Sequence, residues 1–254
     1  MLSKSTIKSI NSLRIKKYRN EKGLFIAEGE RLVEDILNST LKVESLYYTP
    51  DWSPNLEISF PNKFGITIDE MKKISGLSSP SNVFAIVSTP DYNIVEIDFS
   101  NTLSLALDGV QDPGNLGTII RLADWFGIDT ILCSNETVDA YSPKVVQSCM
   151  GAISRVKIIY CNLIEIFEDL KGKVNFPIFG TFMTGGSIYS EILSSKGIIV
   201  MGNEGNGISS DVEKLITNRI HIPSFATNRS TVESLNVAMA TSIVCSEFRR
   251  REYV

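Results

Sequence analysis

The sequence predicts an α/β protein in which a larger C-terminal domain, built on a parallel sheet, follows a smaller α/β domain. Two observations carry this. From about residue 100 onward, short and almost wholly apolar runs alternate with amphipathic stretches. That is the pattern of strands covered on both faces by helices. Residues 1–92 hold a shorter alternation of the same kind. The stretch "TPDYNIVEIDFSN", with Pro90 and several polar residues, reads as the linker, so the domains are 1–92 and 100–254. A chain of 254 residues is long enough to bury a good core.

In the first domain a basic helix covers roughly 5–18. "LFIAEG" is a short strand, "ERLVEDILNS" an amphipathic helix and "VESLYYT" a strand. "FGITI" and "NVFAIVS" are further strands, with the helix "DEMKKISGL" between them. In the second domain the strand "TLSLALDGV" leads to a helix around Arg121. There follow the strand "DTILCSN", the helix "SPKVVQSCMGAI", the strand "VKIIYC" and the helix "LIEIFEDLKG". The strand "FPIFGTF" leads through a weaker helix to the strand "GIIVMGNE". The helix "SSDVEKLITN", the strand "RIHIP" and a long terminal helix complete the chain.

Composition narrows the function classes. His221 is the only histidine, which argues against a histidine-based triad or a multi-histidine metal centre, and no metal is expected. Cys133, Cys149, Cys161 and Cys245 show no zinc-like spacing and read as reduced, buried thiols of a cytoplasmic protein. Residues 1–20 are basic and free of acids, as a mitochondrial transit peptide would be, but they run without a break into the first domain. No apolar run reaches the ~18 residues of a membrane span, so no membrane association is expected. Net charge is −4, which disfavours indiscriminate coating of nucleic acid. Yet Lys4, Lys8, Arg14, Lys16, Lys17, Arg19 and Lys22 gather at one end and Arg249, Arg250 and Arg251 at the other. Basic ends on an acidic body suit local phosphate contact, the alternative being solvated helix faces.

Ligands of parallel sheets sit beyond the carboxyl ends of the strands, and three polar or Gly-rich segments lie there. In "DGVQDPGNLGTIIRLADWFG", Pro113 and Gly114 make a turn, Asn115 can cap a helix starting near Leu116, and Gly127 ends it in the left-handed region. Apolar residues nearly surround Arg121, which predicts a helix buried on most sides; a surface pair with Asp124 is the alternative. "GNEGNG", Gly202 to Gly207, follows a strand but lacks G-x-G-x-x-G spacing, and Glu204 at its centre would repel a pyrophosphate. It suits a neutral or cationic ligand or one offering hydroxyls, unless it is a plain turn capped by Ser209 or Asp211. In "STVESLNVAMATSIVCSEF", Ser230 and Glu233 fit a capping box and Ser234 a later start. Asn236 then falls one turn into a helix with the apolar stripe Val237, Ala240, Val244 and Phe248.

"DPGNLGTIIRLADWFG", "IIVMGNEGNGIS" and "IPS…VESLNVAMA", in this order, closely resemble the three motifs of the SpoU family of RNA ribose 2′-O-methyltransferases, within the SPOUT superfamily. The resemblance covers about 100–250. Residues 7–37 resemble the start of the family's N-terminal substrate-binding domain, a small α/β fold similar to certain ribosomal proteins. The resemblance implies a catalytic domain threaded into a trefoil knot, S-adenosylmethionine as methyl donor, and a homodimer packed through the knotted region. It implies Asn115, Arg121, Glu204, Ser234 and Asn236 as catalytic residues. Donor contacts would come from Thr181, Phe182, Gly202, Ile222 and Leu235, largely through backbone groups. In the family Arg121 is often given the part of a base; a guanidinium, which keeps its proton in proteins, is better suited to binding the phosphate beside the target ribose. One departure stands out: Ser224 follows Pro223 where the family usually has Met, and the segment to Val232, which includes Arg229, is longer and lacks Gly. Ribosomal RNA is the expected substrate. Transfer RNA, a small-molecule or protein substrate, and a non-catalytic RNA-binding protein of the same fold are the alternatives.

Overall fold

The computed structural model describes residues 1–53, 62–172, 176–226 and 234–253. The chain packs as two units, Met1–Asp91 with Asp139–Arg155, and Tyr92–Val138 with Val156–Val254.

In the first unit α1 (Lys4–Ser12) and α2 (Lys16–Lys22) precede β1 (Leu24–Glu28), α3 (Glu30–Leu37), β2 (Val43–Tyr48), β3 (Lys63–Gly65), α4 (Ile68–Ile74) and β4 (Val83–Ser88). The sheet order is β1-β4-β2-β3, with β4 antiparallel to both neighbours and β3 parallel to β2. Ile10, Leu13, Ile26, Met71, Ile74 and Phe84 form the core on one face. The strand expected over "FGITI" stops at Gly65, because Thr67 and Glu70 close a capping box that starts α4.

The basic helix expected over 5–18 is two helices. Ile15 is extended, and the Leu13 carbonyl is taken by the Arg19 guanidinium at 2.9 Å instead of by a following helical N–H. Arg19 is only 4% exposed and pairs with Asp139 at 2.6 Å. A buried guanidinium needs such a partner. Arg14 pairs with Glu28 at 3.2 Å. Two of the cations expected to meet phosphate are thus internal, and Lys4, Lys8, Lys16, Lys17 and Lys22 remain exposed.

The second unit begins with β5 (Leu103–Asp108), α5 (Pro113–Trp125) and β6 (Thr130–Cys133). The chain then gives α6 (Pro143–Ser148) to the first unit. That helix stops short of the expected Ile153 because Met150 and Gly151 take φ of 49° and 90°. There follow β7 (Lys157–Tyr160), α7 (Leu163–Lys171), β8 (Ile178–Ser187), β9 (Gly197–Gly202), α8 (Ser210–Glu213), β10 (Asn218–His221) and α9 (Val237–Arg250). The six strands are parallel in the order β10-β8-β9-β5-β6-β7, as the apolar runs predict. The weaker helix expected after "FGTF" does not form. β8 runs on to Ser187, and turns lead to β9. The helix expected over "SSDVEKLITN" is reduced to the single turn of α8.

Two features of this sheet place the candidate site. β5 and β9 are central neighbours in register, with Asp108 opposite Gly202, so the segments that follow them leave the sheet side by side. α9 packs on α5, burying Val237, Val244 and Phe248, and Phe248 meets Phe179 edge-on at 4.9 Å. The arginines at the end of α9 are used internally. Arg249 donates to the carbonyls of Phe126 and Gly127 at 2.7 and 2.8 Å, closing the C-terminus of α5. Arg250 and Arg251 both pair with Glu247. These guanidiniums are thus engaged within the chain, satisfying carbonyls and a buried carboxylate.

Candidate active site

α5 starts three residues earlier than its sequence suggests. Asp112, not Asn115, is the N-cap, its Oδ1 accepting the Asn115 N–H at 2.8 Å. Pro113 follows at the first helical position, where its missing N–H costs nothing and its φ is already helical. This frees the Asn115 side chain. Gly127 takes φ of 61° and ends the helix as expected. Arg121 is exposed, against the expectation of a buried guanidinium. Leu116, Ile119, Ile120 and Ala123 face the core, while Thr118, Arg121 and Trp125 face outward. Seven apolar neighbours in sequence do not enclose a residue when the helix turns only one face inward. Among the described residues no hydrogen bond or ion pair holds Arg121, so the surface pair with Asp124 is not formed either.

The loop after β9 is a closed turn. The N–H of Asn203 donates to the Gly207 carbonyl at 2.9 Å, and Gly207 donates back at 3.0 Å. Asn203 Oδ1 accepts from the N–H groups of Gly205 and Asn206, and its Nδ2 donates to the Gly109 carbonyl at 2.7 Å. Gly202 is required here: a Cβ would lie 2.3 Å from the Gly207 carbonyl carbon and 2.4 Å from the Ile208 nitrogen. Asp108 Oδ2 accepts the Ser209 N–H at 2.7 Å, so the loop is tied to the end of β5 at both of its ends.

This turn presents Glu204 to the start of α5. Glu204 Oε1 accepts from Asn115 Nδ2 at 3.0 Å and from the Asp112 N–H at 3.3 Å; Oε2 accepts from the Gln111 N–H at 3.3 Å. Desolvation pushes the carboxyl up, but the hydrogen bond from Asn115 and those from backbone N–H groups outweigh it, and its pKa is lowered overall. Asn115 Oδ1 accepts in turn from Asn236 Nδ2 at 2.9 Å. Asn236 is exposed and is the N-cap of α9, its Oδ1 accepting from Ala238 and Met239. The expected position one turn inside the helix is corrected: the side chain takes orphan N–H groups that only a cap can reach. The Ala238 and Met239 donors fix the Asn236 amide, which fixes the Asn115 amide, which leaves an NH₂ for Glu204.

Beside this chain lies a cavity of about 660 Å³. Thr181, Phe182, Gly202, Glu204, Ile222, Ser234 and Leu235 all line it; Asn115, Asn236 and Arg121 do not. Met201, Ile208, Val237 and Val244 supply apolar wall, and Glu204, Glu213, Arg219 and His221 supply its ionisable groups. The size is that of small-ligand sites, and an apolar wall with a few polar groups suits a nucleoside carrying an amino-acid tail. His221 Nδ1 is buried without a partner among the described residues, leaving a polar atom for such a ligand to satisfy. Arg229, Ser230 and Glu233 lie outside the described residues.

Sequence reasoning missed Asp108, Asp112, Asn203, Arg219 and His221. Asn203 was readable in principle, since an Asn two residues before a Gly often closes an Asx turn. Arg219 and His221 carried no signal, because a short strand after a one-turn helix says nothing about which side chains meet a cavity.

Residues 102–246 match the model of the SpoU rRNA methylase family, and residues 4–85 match the MRM3-like substrate binding domain. The 23S rRNA (guanosine(2553)-2′-O)-methyltransferase RlmP of Bacillus subtilis (strain 168) is 28% identical over 246 residues, 96% of this chain and 95% of the relative. A TrmH-family protein from Porphyromonas gingivalis has a similar structure, with a TM-score of 0.89 and 38% identity over 99% of each chain. The S-adenosylmethionine-bound rRNA methyltransferase from Sinorhizobium meliloti superposes with a TM-score of 0.85 at 28% identity, over 99% of this chain and 96% of that one.

Proposed function

The chain belongs to the SpoU rRNA methylase family, and on that premise we propose that it transfers a methyl group from S-adenosylmethionine to a ribose 2′-hydroxyl of ribosomal RNA. The observation that carries this reading is the hydrogen-bonded series Asn236–Asn115–Glu204, which joins three separate segments beside one small-ligand cavity.

Bound in the cavity, S-adenosylmethionine supplies a methyl group already activated by its sulfonium. The task left to the protein is alignment and support for charge developing on the attacking oxygen. Gly202, Ile222 and Leu235 would hold the donor with Thr181 and Phe182, chiefly through backbone groups. Glu204 holds the loop by accepting three donors, and its negative charge favours a cationic ligand over a neutral one. Ser234, exposed at the cavity, would meet the donor or the ribose. Arg121 is permanently charged, exposed and unpaired among the described residues, so it is free to take the phosphate next to the target ribose in a bidentate contact. It stands about 9 Å along α5 from Asn115, on the face that carries Trp125.

The same reading includes a trefoil knot in the second unit and a homodimer packed through it. Trp125, 83% exposed on α5, and Met239, 60% exposed on the adjoining α9, support that interface as large apolar side chains open to solvent. The first unit would bind RNA, with the exposed lysines of α1 and α2 as its cationic surface. Cytoplasmic action is supported by the four free cysteines. Incubation with methyl-labelled donor and, in parallel, ribosomal RNA and transfer RNA tests the proposal. Label in ribosomal RNA alone is expected. Label in transfer RNA alone would move the substrate class, and donor binding without transfer to either would favour a non-catalytic RNA-binding protein.

A further inference from the structure

β8 and β10 pair in an interrupted way. Phe179 and Gly180 lie opposite Asn218 and Arg219, yet the next pair joins Gly186 to Ile220. Residues 181–185 of β8 therefore have no partner on β10 and bulge outward as one wall of the cavity, contributing Thr181, Phe182, Met183 and Thr184 to its lining. A five-residue excursion of this kind needs to be held. Thr181 is tied at its base, donating to the Val200 carbonyl at 2.9 Å. At its far end the backbone passes so close to Arg219 that a Cβ on Gly185 would lie 2.8 Å from the Arg219 carbonyl oxygen. Between these points the inner side of Phe182 packs against the apolar core of the sheet, and Arg219 covers it from the other side. The Arg219 guanidinium lies over the Phe182 ring, 3.6 Å from its centroid, and forms an ion pair with Glu213 of α8.

We propose that Arg219 is a positioning residue for the methyl donor: its stack on Phe182 holds the 181–185 bulge as the cavity wall, and Glu213 fixes the plane of the guanidinium. The inference rests on the donor occupying this cavity. Arginine suits the task because its planar, weakly hydrated group stacks on a ring and pairs edge-on at once, whereas a lysine ammonium keeps the ion pair but offers no plane. The ion pair also leaves Glu204 as the uncompensated charge of the cavity among the described residues.

The test is calorimetric titration of the full chain with S-adenosylmethionine, run on the wild type, Arg219→Ala, Arg219→Lys, Phe182→Ala and the double Phe182→Ala/Arg219→Ala. Arg219→Ala is expected to weaken donor binding about tenfold, the size of a well-formed cation–π contact. Arg219→Lys should recover only a small part of it. Because Arg219 acts through Phe182, the double variant should bind no more weakly than Phe182→Ala alone. In steady state the loss should fall on KM for the donor far more than on kcat. Full additivity in the cycle, or unaltered affinity in Arg219→Ala while the wild type binds, would overturn this inference and leave the proposed function standing. No donor binding by the wild type would overturn both.

Discussion

Replacing Asn115 with Asp tests the hydrogen-bonded series without changing its shape. The new carboxylate keeps an acceptor for Asn236 Nδ2, but it puts an oxygen where Asn115 Nδ2 now donates to Glu204 at 3.0 Å. Two unit charges about 3 Å apart repel by ~1.4 kcal/mol in water and ~5.5 kcal/mol at an effective dielectric of 20. Both groups are partly open to solvent, so the low end applies, and the lost hydrogen bond adds about 1 kcal/mol. A net destabilisation of about 2–3 kcal/mol at pH 8 follows, or roughly 4–12 °C in Tm for a chain of this size. Relaxation does not remove it, since Glu204 can retreat only by abandoning the N–H groups of Gln111 and Asp112. The pH dependence has a definite sign. Repulsion raises the folded-state pKa of the carboxylate pair, so stability is lost as pH rises through that value and regained below it. In the wild type the Glu204 pKa is lowered, so its contribution is present above the ordinary carboxylate range and lost on acidification. The gap between the two proteins should therefore be wide at pH 8 and narrow near pH 4.5. Asn115→Ala, which introduces no charge, should be the more stable variant at pH 8. Melting curves across this range, with donor titrations alongside, provide the measurement. If Asn115→Asp melts with the wild type at pH 8, or the gap ignores pH, the orientation of the series is wrong.

Other consequences are equally direct. Arg121→Ala should abolish methyl transfer while donor affinity stays within about twofold and Tm within a degree or two, as befits an exposed side chain; calorimetry and a transfer assay separate the two. Gly202→Ala should cost more than ~2 kcal/mol and eliminate donor binding, because its Cβ would meet the Gly207–Ile208 backbone at 2.3–2.4 Å; thermal melts and titration read both. Glu247 is held at a pKa of about 2, chiefly by its hydrogen bond from Arg250 and also by Arg251, against desolvation. The stability difference between the wild type and Glu247→Gln should be full at pH 7. It should shrink as pH falls from the ordinary carboxylate range toward about 2, which acid titration of Tm would follow.

The architecture is readable because strands buried on both faces leave continuous apolar runs, as in β5, β6 and β9, whereas β3 and β10 are short and largely polar. Helix ends were less readable. Asn115 and Asp112 are both good caps, and the choice between them rests on Pro113, whose ring favours the first helical position. The exposure of Arg121 is not legible from its neighbours in sequence, because neighbours on one helical face decide it. The single basic helix failed for a reason no local pattern carries: Arg19 finds Asp139, 120 residues away in sequence. The three motifs are legible as segments. Their convergence is not, since it depends on β5 and β9 being sheet neighbours although opposed residues such as Asp108 and Gly202 lie 94 positions apart in sequence. Motif resemblance supplied what periodicity lacks, a set of positions to compare, while Arg219 needed the register of β8 and β10 to become visible.

The central claim is that the methyl group goes to a ribose hydroxyl of ribosomal RNA. Alkaline hydrolysis of the labelled product tests it most directly, because a 2′-O-methyl group removes the nucleophile that cleaves the adjoining phosphodiester. Label recovered in alkali-resistant dinucleotides from ribosomal RNA, and absent with Arg121→Ala, is the predicted result. Label released entirely in mononucleotides would place the methyl on a base and contradict the account.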